Sequence, residues 1–280
     1  MPLSANGVVS EMVGLDAIVI VQLRRRTSPE SHAEQHRCRW SVSEKLRHSV
    51  RVGDAVVGVD GCAKGWVGIR LADDGVRGLF APSLGELEAA ALEFGEVAVM
   101  GIDMPIGLPD AGVRQADVMA RRFVGPRSSS VFSTPVRAAV ELDVYELAAQ
   151  AHRTRAAAGL TKQSFALWAK IREVDAWLPT AGCRVVEVHP EVSFAALAQE
   201  PLIHGKKTWA GAERRRCLLE AAGIVLPADL GLAGERAGVD DVLDAAVAAW
   251  SATRVRDGHA RCMPDPPEPF SDGIPAAIWY

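Results

Sequence analysis

Carboxylates recur where apolar runs end. Asp60 follows the run Val56–Val59 and is followed at once by Gly61, while Asp103 follows Val97–Ile102 and precedes Met104-Pro105. Glu187 and His189 share one face of a third run, Arg184–Val188, because side chains alternate along a strand; Glu191 lies just beyond. Asp240, Asp241 and Asp244 open a stretch whose next residues, AAVAAW, are apolar all round, as in a helix covered on more than one side. Asp241 and Asp244 are three apart and so project from the same side of that helix. A carboxylate at the end of a buried strand is costly unless a cation meets it. Several acids facing one crevice repel each other unless a cation binds them. Oxygen-only ligands from several elements suit Mg²⁺ or Mn²⁺ rather than zinc, and two such ions would activate a water and stabilise the leaving oxygen in phosphodiester hydrolysis. The metal-ligand candidates are therefore Asp60, Asp103, Asp241 and Asp244, with Glu187 as a further catalytic candidate. Taken alone, Asp60 is equally the turn-capping residue of a hairpin, and the Asp240–Asp244 group is equally a solvated helix face.

Phosphate ligands are sought next. The segment Gly125-Pro126-Arg127-Ser128-Ser129-Ser130 combines a guanidinium, hydroxyls and free backbone N–H groups, which suits a phosphate cradle as well as it suits an ordinary serine-rich loop. Lys206, Lys207 and Thr208, with Arg214 and Arg215 a turn or two later, either hold a second phosphate or form a solvated helix start. Lys162, Gln163 and Lys170 read first as helix surface, and second as the lining of a substrate channel.

Something must position these groups. Val56–Val59, Val67–Leu71 and Val76–Phe80 are three short strands separated by DGCAKG and ADDG, both rich in turn formers. Leu84, Leu87, Ala91 and Phe94 recur at helical spacing with Ser83 as N-cap, and Gly95 ends that helix. The fourth strand, Val97–Ile102, is apolar throughout, as in a mixed sheet covered by helices on both faces. Residues 110–180 read as mostly helical, with Leu167, Ile171, Val174 and Leu178 marking one face. The fifth strand is Arg184–Val188, followed by helices near Val192–Gln199 and Ala212–Ala222. The last helix, Val239–Thr253, carries Val239, Leu243, Ala246 and Trp250 on one stripe. The proline-rich tail from Arg261 is expected to wrap the surface in extended form.

Length and composition bound the function classes. The chain has 280 residues, 49% hydrophobic and 24% charged, enough for one large domain with a sizeable core. Its longest apolar stretch near the start, Gly14–Leu23, is too short to span a membrane and stops at Arg24, Arg25 and Arg26. No basic-then-apolar order marks a secretory leader. Five scattered cysteines without a CxxC argue against a disulfide framework or a zinc site and point to the cytoplasm. Residues 1–53 hold 8 basic and 5 acidic residues and lack an apolar period apart from one strand-like run, Ala17–Val21. They read as a largely disordered extension or a stretch upstream of the true start, with a basic nucleic-acid arm as the functional alternative. The remainder holds 23 basic and 30 acidic residues, although 114–172 is locally basic, with 10 against 4. A polyanion would find a patch there, but the field of the whole chain would not attract one.

The motifs GVDGCAKGW, GIDMPIGLP, GPRSSSVFSTP, EVHPEVSF, GKKT and DDVLDA, in this order, resemble the predicted-nuclease family called domain of unknown function 429, over about Ala55 to Tyr280. The resemblance implies a ribonuclease H-like α/β domain over residues 54–280. It implies a five-stranded mixed sheet, first three strands antiparallel, helices on both faces, and a helical insertion at about 105–183. It also implies that Asp60, Asp103 and the Asp241/Asp244 pair converge at one end of the sheet. That pair is similar to the closing DxxD helix of Holliday-junction resolvases, whose second acid is usually glutamate where this chain has Asp103. The expected activity is metal-dependent nucleic-acid hydrolysis with two Mg²⁺ or Mn²⁺ ions, with Arg127, Ser128, Ser129, Lys206, Lys207 and Arg214 contacting DNA or RNA. Two alternatives remain: a nucleotide-binding phosphotransferase on the same core, as in sugar kinases and actin-like ATPases, and a non-catalytic binding module. Residues 105–280 contain no second DxG strand-turn-strand unit, which the phosphotransferases need.

Overall fold

Val56, Gly58 and Asp60 alternate along one strand and Val99, Gly101 and Asp103 along its neighbour, so each set shares a face of the sheet. This shared Val-x-Gly-x-Asp spacing organises the computed structural model. The described residues are 55–157 and 159–280; the Gln163 side chain, the extension 1–53 and the strand expected at Ala17–Val21 lie outside them. The strands are β1 Ala55–Cys62, β2 Gly65–Ala72, β3 Gly75–Ala81, β4 Val97–Ile102, β5 Arg184–Glu187, β6 Cys262–Glu268 and β7 Ala276–Trp279. The helices are α1 Leu84–Leu92, α2 Gln115–Val124, α3 Arg137–Val140, α4 Tyr145–Ala156, α5 Lys162–Ala166, α6 Trp168–Trp177, α7 Pro190–Ala198, α8 Trp209–Ala221, α9 Leu232–Arg236 and α10 Val239–Arg256. Among the described residues no helix is long and apolar enough to cross a membrane.

The sheet has seven strands in the order β3-β2-β1-β4-β5-β7-β6, not five. β1, β2 and β3 form the expected antiparallel meander, and β4 and β5 continue parallel to β1. The two extra strands come from the tail expected to wrap the surface in extended form. β7 is a short apolar run, AAIW, that pairs parallel to β5 at Glu187 and Ile278. β6, CMPDPPE, lies on the outer edge, where prolines that cannot donate to a ladder are tolerated. A proline-rich composition hid an edge strand.

The sheet divides the core. Val57, Val59, Met100 and Ile102 point to one face and pack with α1, α3, α4 and α6 through Leu84, Leu87, Val140, Ala149, Ile171 and Val174. The other face carries Val56 and Val99 against Ala248 and Ala252 of α10, and Val67 and Ile69 against Val242, Ala246 and Leu219. Ser83 caps α1 as expected, accepting from the Glu86 N–H, but Phe94 is largely exposed and stands outside the stripe assigned to it.

α10 lies directly on the sheet because two glycines make room. Gly58 and Gly101 are register partners on β1 and β4. A Cβ on Gly58 would stand 2.0 Å from both the Ala245 carbonyl oxygen and the Ala249 nitrogen, and one on Gly101 would stand 2.8 Å from the Ala248 oxygen. Backbone cannot yield like the end of a flexible side chain, so Gly58→Ala must push the helix away. It is expected to cost about 1–3 kcal/mol or more. It should also weaken any response of the melting temperature to Mn²⁺, because Asp244 rides on that helix. Thermal melts with EDTA and with Mn²⁺ check both.

Candidate metal centre

Three aspartates meet where β1, β4 and α10 converge. Asp60 lies within β1, paired with Val67, two residues before the strand ends; Asp103 follows β4 immediately, its N–H bonded to the Val59 carbonyl at 2.9 Å. Asp244 sits one turn into α10 and is 2% exposed. One carboxylate oxygen from each of Asp60, Asp103 and Asp244 lies within 4.8 Å of the others. Burial raises the pKa of all three. The charges of Asp103 and Asp244 add to it at Asp60, which rises well above its ordinary value. Asp103 is pushed up to about 8 by burial and by Asp244. Asp244 reaches only about 6, because Lys206 opposes its burial.

Lys206 is the cluster's internal counter-charge. Its ammonium bonds to Asp244 and lies 3.8 Å from Asp240. Burial works against its charge, but Asp244, Asp60 and Asp103 outweigh that and raise its pKa. Asp241 stands at the edge of the group, half-buried, and accepts the Gly238 N–H at 3.1 Å, capping α10. Asp240 instead faces the two lysines, with Lys207 at 3.6 Å.

Asp60, Asp103, Asp241 and Asp244 line a cleft of about 560 Å³. Arg121, Arg127, Ser129, Ser130 and Ser133 line it too, so the acidic cluster and the serine segment share one cavity. His189 also lines the cleft; burial lowers its pKa, so the ring is neutral at pH 7. Its Nδ1 is buried without a hydrogen-bond partner.

Other candidates go elsewhere. Glu187 is tied into a buried cluster: both its oxygens accept from Arg114, at 2.7 and 2.8 Å, and one also accepts the Ile106 N–H at 2.7 Å. Glu191 lines the cleft, but both its oxygens accept from Arg215 at 2.7 Å. Ser128 and Arg214 point to solvent outside the cleft, Arg214 lying 3.6 Å from Glu200. Lys207 is largely exposed. Lys170 packs over the Trp66 ring at 4.1 Å and donates to the Gly65 carbonyl, and Lys162 lies 5.9 Å from the Tyr145 ring. Sequence reasoning missed Arg114 and Arg121 outright and left Arg215 between a phosphate ligand and a solvated helix start, whereas it is buried on Glu191. A signal existed for Arg215: it occupies the buried stripe Gly211, Arg215, Leu218, where a cation is costly unless an acid meets it.

A family model described as "Protein of unknown function (DUF429)" matches residues 58–269. The chain belongs to the DUF429 family. No curated protein and no solved structure matches it. In this DUF429 chain the matched span runs from Gly58 to just past β6 and takes in all four aspartates, Lys206 and the serine segment, leaving out β7.

Proposed function

We propose that this protein is a metal-dependent nuclease that hydrolyses phosphodiester bonds on a ribonuclease H-like core. The observation that carries this reading is the convergence of Asp60, Asp103 and Asp244 from two neighbouring parallel strands and one helix. The strand order β3-β2-β1-β4-β5, antiparallel through β1 and parallel beyond, supports the fold assignment, with β7 and β6 as additions at the far edge.

The donor set fits a hard divalent cation. Three carboxylates from separate elements offer oxygen only, their pKa values are raised first by burial and then by one another's charge, and one lysine does not offset this. Asp60, Asp103 and Asp244 would hold Mg²⁺ or Mn²⁺, and Asp241 is the remaining carboxylate for the second ion of a two-ion site. Metal bound there would supply an activated water and neutralise charge on the leaving oxygen. The chain's own residues do the rest. Arg127 and the Ser129 and Ser130 segment bind phosphate, and Arg121, fixed by its bonds to the Val131 carbonyl and the Ser133 hydroxyl, offers a second positive group. Neutral His189, with a free ring nitrogen, is able to accept a proton within the cleft.

Initial rates on a panel of DNA and RNA substrates, in EDTA and in Mn²⁺, test this reading. Mn²⁺-dependent release of shortened products is expected. A protein that leaves every substrate intact while hydrolysing ATP is instead a phosphotransferase-like enzyme on this core.

A further inference from the structure

A nuclease that reads duplex or branched nucleic acid presents a long positive surface. Specific protein–DNA interfaces bury roughly 1,000–2,500 Å² and are much more positive than other interfaces. This chain offers the reverse: residues 54–280 hold 30 acidic against 23 basic side chains. Among the described residues, three cations line the cleft: Arg121, Arg127 and Lys206. Lys206 is spent on Asp244. Arg121 is half spent on Val131 and Ser133. Arg127 is the least committed: its Nε is buried without a partner, and its Nη2 lies 3.6 Å from a Glu191 whose oxygens Arg215 already holds.

The cavity has the dimensions of a small-molecule site. At about 560 Å³ it falls inside the roughly 300–1,000 Å³ of ligand pockets. Its lining joins Asp60 and Asp103, residues of the 127–133 segment, and Leu160, Thr161, Ser164 and Leu167 of the helical insertion. A pocket of this volume has room for one or two nucleotides but not for the body of a duplex. Its leucines, with Phe132, give an apolar surface for a base beside a phosphate end and an acidic end.

We infer that the cleft takes a nucleotide-sized single-stranded phosphodiester, a dinucleotide or the last two nucleotides of a strand, and excludes duplex. The scissile phosphate lies at Asp60, Asp103 and Asp244, and the neighbouring phosphate lies on Arg127. This inference rests on the nuclease reading above for its scissile bond, but its size limit rests on the cleft alone.

The test uses the full chain and three labelled probes: a 5′-phosphorylated dinucleotide, a long single strand and a duplex of the same sequence. Binding is followed by fluorescence anisotropy in EDTA while salt is raised from about 50 to 200 mM, and cleavage is followed separately in Mn²⁺. Two phosphate contacts give a slope of log affinity on log salt of about −1.4, whereas a duplex binder with six to ten contacts gives about −5 to −9. The expected result is a shallow slope, duplex the weakest probe, and a loss of about tenfold or more in dinucleotide affinity for Arg127→Ala. Equal affinity for dinucleotide and long strand assigns strand ends, and preference for the dinucleotide assigns the free compound. Tighter duplex binding with a steep slope overturns the inference and leaves the nuclease reading standing. Dinucleotide binding without cleavage keeps the inference and removes the nuclease reading. Failure of all three probes to bind, or an Arg127→Ala variant with unchanged affinity, overturns the inference.

Discussion

Asp60→Asn is expected to abolish Mn²⁺-dependent cleavage, with a loss of about a thousandfold or more, the equivalent of several kcal/mol of transition-state charge stabilisation. Folding should not suffer in step. Asp60, Asp103 and Asp244 are forced together, and removing a charge relieves repulsion stored in the metal-free fold. Asp103→Asn is the cleanest probe, since no cation bonds to that carboxylate among the described residues, and it should melt higher than wild type in EDTA. Asp244→Asn should melt lower, because it strips Lys206 of its partner. The pH dependence follows from the raised value of Asp103. An acid that holds its proton more tightly folded than unfolded favours the fold at low pH, and that stability is lost as pH climbs from the ordinary value of 3.8 through about 8. The advantage of Asp103→Asn over wild type in EDTA should therefore grow between pH 5 and pH 8.5. On the proposed reading a metal ion binds only the assembled cluster, and a hundredfold excess over its dissociation constant should then stabilise wild type by about 2.7 kcal/mol and the variants far less. A structural aspartate behaves in the opposite way: its loss destabilises at every pH, with or without metal. Melts in EDTA and in Mn²⁺ across that pH range separate the two.

Much of this centre was legible in the sequence, and for a physical reason. Period-two alternation put Asp60 and Asp103 on a definite face of apolar strands, and the all-round apolar run after Asp244 marked a helix buried between layers. Those signals are local. The two glycines that let α10 reach the sheet carry no such signal one at a time. Only their equivalent places in Val56-x-Gly58-x-Asp60 and Val99-x-Gly101-x-Asp103 show that one helix crosses both. Pairing across the fold was not legible at all. Glu187, Glu191 and Asp244 look alike as isolated acids; which one meets Arg114, Arg215 or Lys206 depends on contacts 73, 24 and 38 residues apart. The tail misled for a different reason. Proline argues against a central strand and leaves an edge strand open, and β6 needs β7 to exist before it has an edge to join.

Arg114→Met is expected to be the most destabilising single change in the domain. The guanidinium is 1% exposed and donates to both oxygens of Glu187, to Asp117 at 2.8 and 3.1 Å, and to the Ile106 and Gly107 carbonyls. Asp117 in turn accepts the Thr134 N–H at 2.7 Å, so one side chain joins the end of β5, the loop after β4, the start of α2 and the strand-like approach to α3. Burial pushes its pKa down, and Asp117 and Glu187 outweigh burial and raise it. Removing the cation leaves two buried carboxylates facing each other, a loss of about 3–5 kcal/mol for a broken buried pair. Glu187→Gln should cost less, since Arg114 keeps Asp117 and both carbonyls. The pair of variants also decides the role of Glu187. If its carboxylate serves the chemistry, Glu187→Gln loses activity at nearly full stability. If it only anchors Arg114, the variant melts lower, yet the fraction that stays folded cleaves at close to the wild-type rate. Its bonding favours the anchor: a carboxylate with both oxygens spent on one guanidinium has little left to offer a metal or a proton.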